Sequence, residues 1–238
     1  MPLFSKESVL RLSLRPRRLF ASIAVSLLLT GSILGQAKDV AGPQSAEKGS
    51  HLISGVPLAF EENDGQLPSE FSFLGRTQDY SVAIARDRLK FVLPGGSADS
   101  AIDVRFAGSR GGSPVPLSGV AYRSNYFIGA DPSQWHQGVA NFSRVGVRQI
   151  YPGIDTEFYE KSGQLEHDFI VAPGNDAGSI RLDLISTQRA TLTGNGDIVI
   201  PAKEGELRFR KPSAFQFNAD GKRVEVAADY LRTRGLVK

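Results

Sequence analysis

The 238-residue chain has no cysteine, one methionine, one tryptophan and three histidines. Without thiols there is no disulfide staple, no thiolate ligand and no cysteine nucleophile, so stability must come from burial. Three scattered histidines (His51, His136, His167) argue against a histidine metal cluster. No G-x-S-x-G elbow, P-loop or H-E-x-x-H is present. "GNGDIV" at Gly194–Val199 reads as a glycine-rich hairpin turn rather than a phosphate loop. Long helical faces are missing too, because 25 glycines and 13 prolines interrupt the chain before one can form.

What is present begins with a basic and then apolar N-terminus. Lys6, Arg11, Arg15, Arg17 and Arg18 precede "LFASIAVSLLLTGSILGQA". The uncharged run Leu19–Leu34 is short of the roughly 20 residues of a spanning helix. It ends in small residues that suit cleavage after Ala37, so residues 1–37 read as a signal peptide. "RRLF" partly resembles a twin-arginine signal, and a Sec-type leader fits better. The expected address is secreted or cell envelope, with no membrane span after cleavage. Residues 1–37 hold five basic groups and one acidic group, so 23 basic and 24 acidic residues remain beyond them. The pI near 9.2 therefore belongs mostly to the leader, and no basic stripe argues for nucleic acid. Residues 38–51 read as a flexible linker, and 52–238 as a single domain.

The rest alternates with period two. Leu89, Phe91 and Leu93 share a face, as do Ile102, Val104 and Phe106, and Ile180, Leu182 and Leu184. Asn195-Gly196 and Asp220-Gly221 supply hairpin turns. The best helix candidate is the short "DPSQWHQGV", with Asp131 as cap and Pro132 at the first position. About twelve short strands predict an all-β domain, an antiparallel sandwich or barrel-like fold.

The densest chemistry is "YPGIDTEFYEKSGQLEHDFIVAPG", Tyr151–Gly174. It reads as two strands, Ile154–Glu160 and Gln164–Val171, around a turn at Ser162-Gly163. That register puts Glu157 opposite Asp168 and Tyr159 opposite Glu166. Opposed like charges cost up to about 1 kcal/mol, so a cation, solvent or arginines must offset them. Asp155, Glu157, Glu166 and Asp168 form the candidate polar site. Such carboxylates suit a glycosidase pair, a calcium site or an arginine-paired face, and the last is favoured. No cofactor is expected; calcium is the one that oxygen donors leave open. His167, on the apolar side of its strand, reads as a satisfied core histidine rather than a general base. Trp135 and Tyr159 are candidates for ligand stacking. Against this, "NYFIG" at Asn125–Gly129 reads as a buried strand, with Trp135 pinning the next loop. "NFS" at Asn141–Ser143 matches an N-glycosylation acceptor.

Five phrases, in order, resemble one family: "LAFEENDGQ" (Leu58–Gln66), "NYFIGADPSQW" (Asn125–Trp135), "VRQIYPGIDTEFY" (Val147–Tyr159), "GQLEHDFIVAPG" (Gly163–Gly174) and "FRKPSAFQ" (Phe209–Gln216). They resemble the uncharacterised N-terminal β-rich domain of bacterial secreted proteins that carry seven-bladed β-propeller (SBBP) repeats. The resemblance runs from about Val56 to the C-terminus. It implies an extracellular module, a downstream propeller partner in relatives, and no activity or catalytic residue. Asn63, Gly65, Gln66, Tyr151, Pro152, Gly153, Asp155, Glu166, Asp168, Pro173 and Gly174 match its pattern; Asn63 and Gln66 suit loop-bridging hydrogen bonds. The sequence given ends at "YLRTRGLVK", without the repeats. The expected function is a non-enzymatic β module for surface interaction or structural support, with an extracellular protein or glycan as partner. The alternatives are an extracellular hydrolase using the paired carboxylates and a calcium-stabilised β domain.

Overall fold

Period-two alternation becomes strand pairing throughout. The computed structural model describes residues 8–17, 58–93, 101–203, 205–233 and 236–237, and among these it contains eighteen strands. Every pairing is antiparallel. In spatial order, one side is β2 (Phe60–Glu62), β3 (Phe71–Arg76), β4 (Ser81–Ala85), β5 (Arg88–Val92), β6 (Ala101–Phe106), β11 (Leu182–Ile185), β18 (Leu236–Val237) and β17 (Arg232–Thr233). The other is β9 (Ile154–Lys161), β10 (Gln164–Val171), β1 (Ser8–Arg17), β15 (Ser213–Phe217) and β16 (Arg223–Val226).

The long β8 (His136–Tyr151) joins them. It pairs with β2 at Asn141 and Phe142 and with β9 from Arg144 onward, while β7 (Ser113–Tyr126) lines its other edge. A small second sheet of β12 (Thr191–Leu192), β13 (Ile198–Ala202) and β14 (Gly205–Phe209) is reached through the last four residues of β1. The result is a single sandwich-like domain without barrel closure.

The core lies between the two sides. Phe106 of β6 meets Phe169 of β10 edge-on at 5.9 Å between ring centroids, and Phe91 of β5 meets Phe209 of β14 at 6.4 Å. The inward sets Leu89/Phe91/Leu93 and Ile102/Val104/Phe106 are all buried. Ile180 and Leu182 are buried as well, although Ile180 lies at the end of a 3-10 turn rather than in β11, and Leu184 is half-buried.

The turns follow their residues. Ser162 (φ 53°) and Gly163 (φ 76°) both take left-handed backbone, closing β9 onto β10 with Lys161 opposite Gln164. Gly153 (φ 68°) turns β8 into β9, and a Cβ there would lie 2.2 Å from the Asn175 side chain. The helix expected in "DPSQWHQGV" is one 3-10 turn, Pro132–Gln134. Asp131 caps it by accepting from the Ser133 N–H, and Trp135 has already returned to extended backbone.

Within the expected leader, Ser8–Arg17 forms β1, paired with β10, β15 and β14. Leu12 and Leu14 are fully buried and Leu10 packs against the same core, because "VLRLSLR" alternates like a strand. The apolar run 19–34, the cleavage point at Ala37 and the linker 38–51 lie outside the described residues.

Burial of Leu14 gives a direct test. We expect Leu14→Ala to lower the stability of the intact chain by about 2–5 kcal/mol, read as a lower urea midpoint at unchanged slope. An unchanged midpoint would mean that β1 does not hold its place in solution.

Candidate functional site

The β9–β10 hairpin has the register its turn dictates: Glu157 faces Asp168, Tyr159 faces Glu166, and Thr156 faces Phe169. Its inner face carries Ile154, Thr156 and Phe158 against Leu165, His167, Phe169 and Val171, all buried. The outer face carries the acids, and it is far less wet than a free sheet surface. Glu166 and Asp168 are each only 6% exposed.

Arginines from the flanking strands cover them. Arg11 of β1 holds both Asp168 oxygens, Nε to Oδ1 and Nη2 to Oδ2, each at 2.9 Å. The Tyr159 hydroxyl donates to Asp168 Oδ2 at 2.9 Å. Arg144 of β8 donates to Glu157 Oε2 at 2.8 Å, and Arg148 to Asp155 Oδ2 at 2.9 Å. Asp155 also accepts from the Gln149 N–H at 2.7 Å.

Glu166 lies in the field of Arg11. The hydrogen bond to Asp168 raises the Arg11 pKa, so the guanidinium stays charged. Burial, and then the Asp168 charge, push the Tyr159 phenol up, so it donates rather than ionises. A row of cations and rings crosses the sheet: Arg144 lies 4.3 Å from the Tyr159 ring centre, Arg11 lies 5.9 Å from Tyr159 and 5.9 Å from Phe215, and Arg223 lies 4.0 Å from Phe215.

This is arginine-paired carboxylate chemistry. A general acid needs a proton to give and a nucleophile needs a free lone pair. Asp155 and Asp168 have both oxygens hydrogen-bonded, while Glu157 has Oε2 bonded to Arg144 and Oε1 3.8 Å from Arg148. The fold has clefts of about 380 Å³ and 690 Å³, and none of the four acids lines either. Among the described residues no group of three or more His, Asp or Glu is arranged to hold a metal ion.

The two stacking candidates do not converge. Tyr159 is buried beneath Arg144. Trp135 precedes β8, whose residues from His136 to Arg144 span roughly 26 Å. "NYFIG" is not a buried strand: β7 stops at Tyr126, leaving Phe127 59% and Ile128 67% exposed. Tyr122 is exposed as well. Trp135 is half-buried behind this tip, edge-on to Phe127 at 5.2 Å, its indole N–H donating to the Gly129 carbonyl at 3.3 Å.

Beside the tip lies a polar network that the sequence reading missed. Glu61 of β2 accepts from Arg76 at 2.5 Å, from the Tyr126 hydroxyl, and from Ser124 Oγ at 3.1 Å. Burial and the bond to Glu61 push the Tyr126 pKa up to about 12. The signal was available, since Glu61 and Tyr126 sit in two of the five family phrases. Asn141 belongs to the network too, buried and donating to Ser124 Oγ and the Val139 carbonyl, which removes it as a glycan acceptor in the folded state.

Asn63 and Gln66 do bridge a loop, as expected. The Asn63 amide reaches the Leu67, Pro68 and Phe71 carbonyls, and Gln66 donates to the Glu62 carbonyl.

Residues 60–237 match a family described as "Domain of unknown function (DUF7948)". The chain belongs to this family. No curated protein and no solved structure matches it. The DUF7948 span contains β2 to β18, and it leaves out β1.

His167 departs from the satisfied core histidine expected of it. It is wholly buried in this DUF7948 core, stacked on Phe158 at 4.5 Å and flanked by Phe169 at 4.4 Å and Phe106 at 5.6 Å, with neither ring nitrogen hydrogen-bonded. Burial lowers its pKa to about 3. Below about pH 6.5 the unfolded chain binds a proton that the folded chain refuses until about pH 3. Stability therefore falls with acidification by about 1.4 kcal/mol per pH unit across that window. We expect His167→Leu to remove this slope, gaining about 2 kcal/mol over wild type at pH 5 relative to pH 7.5. Urea titrations at both pH values check this; equal slopes for the two proteins would contradict it.

Proposed function

We propose that this chain is an exported, cell-envelope β module that works by surface contact rather than catalysis, and that its contact surface is the aromatic tip of the β7–β8 hairpin. The observation that carries the reading is the exposure of Phe127 and Ile128 at the tip, with Phe127 edge-on to a half-buried Trp135, and of Tyr122 further back along β7. Apolar side chains clustered at a hairpin tip are a liability in water unless something covers them. Rings beside a hydrogen-bonding rim suit a sugar, whose C–H face stacks while its hydroxyls reach polar groups. Here the rim is Glu61, Arg76 and Asn125. Asn125 already orders the tip by accepting from the Gly138 N–H at 2.8 Å.

Export is supported by the basic and apolar order of residues 1–37. Among the described residues no helix is long and apolar enough to cross a membrane. The five family phrases support a place beside SBBP propeller repeats in relatives, where a β module would serve as support. The arginine cover over Asp155, Glu157 and Asp168 supports contact over hydrolysis.

The test uses the purified chain on a glycan array and on isolated bacterial envelope fragments. We expect binding that the double variant Phe127→Ala/Trp135→Ala reduces at least tenfold, with a melting temperature within a few degrees of wild type, as surface changes give. Equal binding by the double variant would reject the tip. Glycoside hydrolysis abolished by Glu157→Gln would establish the hydrolase instead, and a melting temperature that climbs with calcium would establish the calcium-stabilised domain.

A further inference from the structure

β1 fills a slot whose two walls belong to the shared domain. On one side Ser8–Ser13 pair with β10 from Val171 to Glu166; on the other, Ser8–Arg11 pair with β15 from Gln216 to Ser213. Beyond this, Leu14–Arg17 pair with β14. The walls lie within residues 60–237, and β1 does not. Among the described residues β10 and β15 do not pair with each other, and β1 lies between them.

The slot is chemically specific. Its floor takes Leu10, packed against the core, and past the end of the β15 wall the same strand continues with Leu12 and Leu14, both fully buried. Its outer face takes Arg11 against Asp168, two oxygens to two nitrogens at 2.9 Å, with Glu166 adding charge of the same sign. An empty slot would leave the facing N–H and C=O groups of β10 and β15 unpaired and Asp168 stripped of its cation. A cleft of about 690 Å³ runs beside β1 along Leu10, Leu12, Ala214 and Phe215, so the seat is open at one side.

Residues 8–17 also lie in the segment that the export reading removes. We propose that the slot is a strand-acceptor site. β1 fills it in the uncut chain. Once the leader is cut away, it receives an extended segment of another polypeptide with an arginine and leucine-like side chains one and three positions after it. Main-chain pairing supplies affinity, and the arginine and the two apolar pockets supply selectivity. This inference rests on the export reading above and deepens it, by giving the envelope module a second, protein-facing site remote from the aromatic tip.

Two measurements separate the site from the export reading. The first takes the full chain with a protease recognition sequence inserted after Ser45, folded and then cut. A fluorescent peptide of residues 6–18 is added, and binding is read by anisotropy together with hydrogen exchange at Leu165–Ile170. We expect the peptide to enter the slot and protect these β10 amides. An Arg11→Glu peptide should bind at least tenfold weaker, as the loss of one partner of a buried charge pair implies. If the cut chain loosens, refolding by the wild-type peptide alone supports the site. Equal effects of the two peptides, or β10 protection indifferent to both, overturn it. The second measurement is the N-terminal mass of the exported protein. A start at Lys38 leaves the slot to a partner; retention of residues 8–17 overturns delivery in trans while leaving the peptide result standing. Dimers of the uncut chain made by exchanging β1 would assign the slot to a second copy and overturn the foreign partner.

Discussion

Asp168 sits in mid-sheet with almost no access to water, and the two-pronged grip of Arg11 is what makes that position tolerable. A carboxylate so placed costs several kcal/mol if its partner is removed. The surrounding strands are arranged around this need. β1 brings the guanidinium, β9 brings the Tyr159 hydroxyl, and β10 holds the acid between them. Because the same strand that carries Arg11 also plugs the core with Leu12 and Leu14, charge pairing on the outer face and packing on the inner face are one event. The segment that supplies both lies outside the residues that match the family, 60–237.

The hairpin β9–β10 shows how one pleated ribbon carries opposite chemistries. Its inner side is an aromatic stack that forces His167 to remain neutral; its outer side is a charged lattice in which acids alternate with arginines and rings. Neither side offers a reactive group at a cleft. Exposed apolar residues include Phe127 and Ile128 at the far end of β8, where β7 turns back, as well as Phe217, Val224, Val226 and Leu231 near the C-terminus.

Much of the fold could be read from residue order. A two-residue turn at Ser162-Gly163 leaves only one register for the flanking strands, so the facing of Glu157 and Asp168 followed from sequence alone. The inward sets of β5 and β6 were equally legible, because alternation specifies the buried face whatever lies across from it. The Asn63 loop was readable from its amide chemistry. Three features were not. "VLRLSLR" has strand periodicity, but its arginines and the apolar run behind it read as a leader, and nothing local points to a partner some 160 residues away. The run at Phe127 and Ile128 reads as core because aromatic runs are usually buried; their exposure depends on where β7 stops. Of the arginines that neutralise the acids, Arg144 and Arg148 come from β8, the hairpin neighbour of β9, but Arg11 comes from β1, whose proximity no spacing reveals.

The sequence by itself determined that this chain builds antiparallel strands, where its hairpins turn, and which side of each ribbon is apolar. These are local matters, set by alternation of side chains and by glycine's freedom at positive φ. Only the tertiary structure decided that the acids are covered rather than available, that the histidine is sealed without a partner, and that the N-terminal segment fills a vacancy in the sheet. Each of these depends on which distant strand arrives alongside, and strand pairing across a long loop is governed by the whole core rather than by any window of residues.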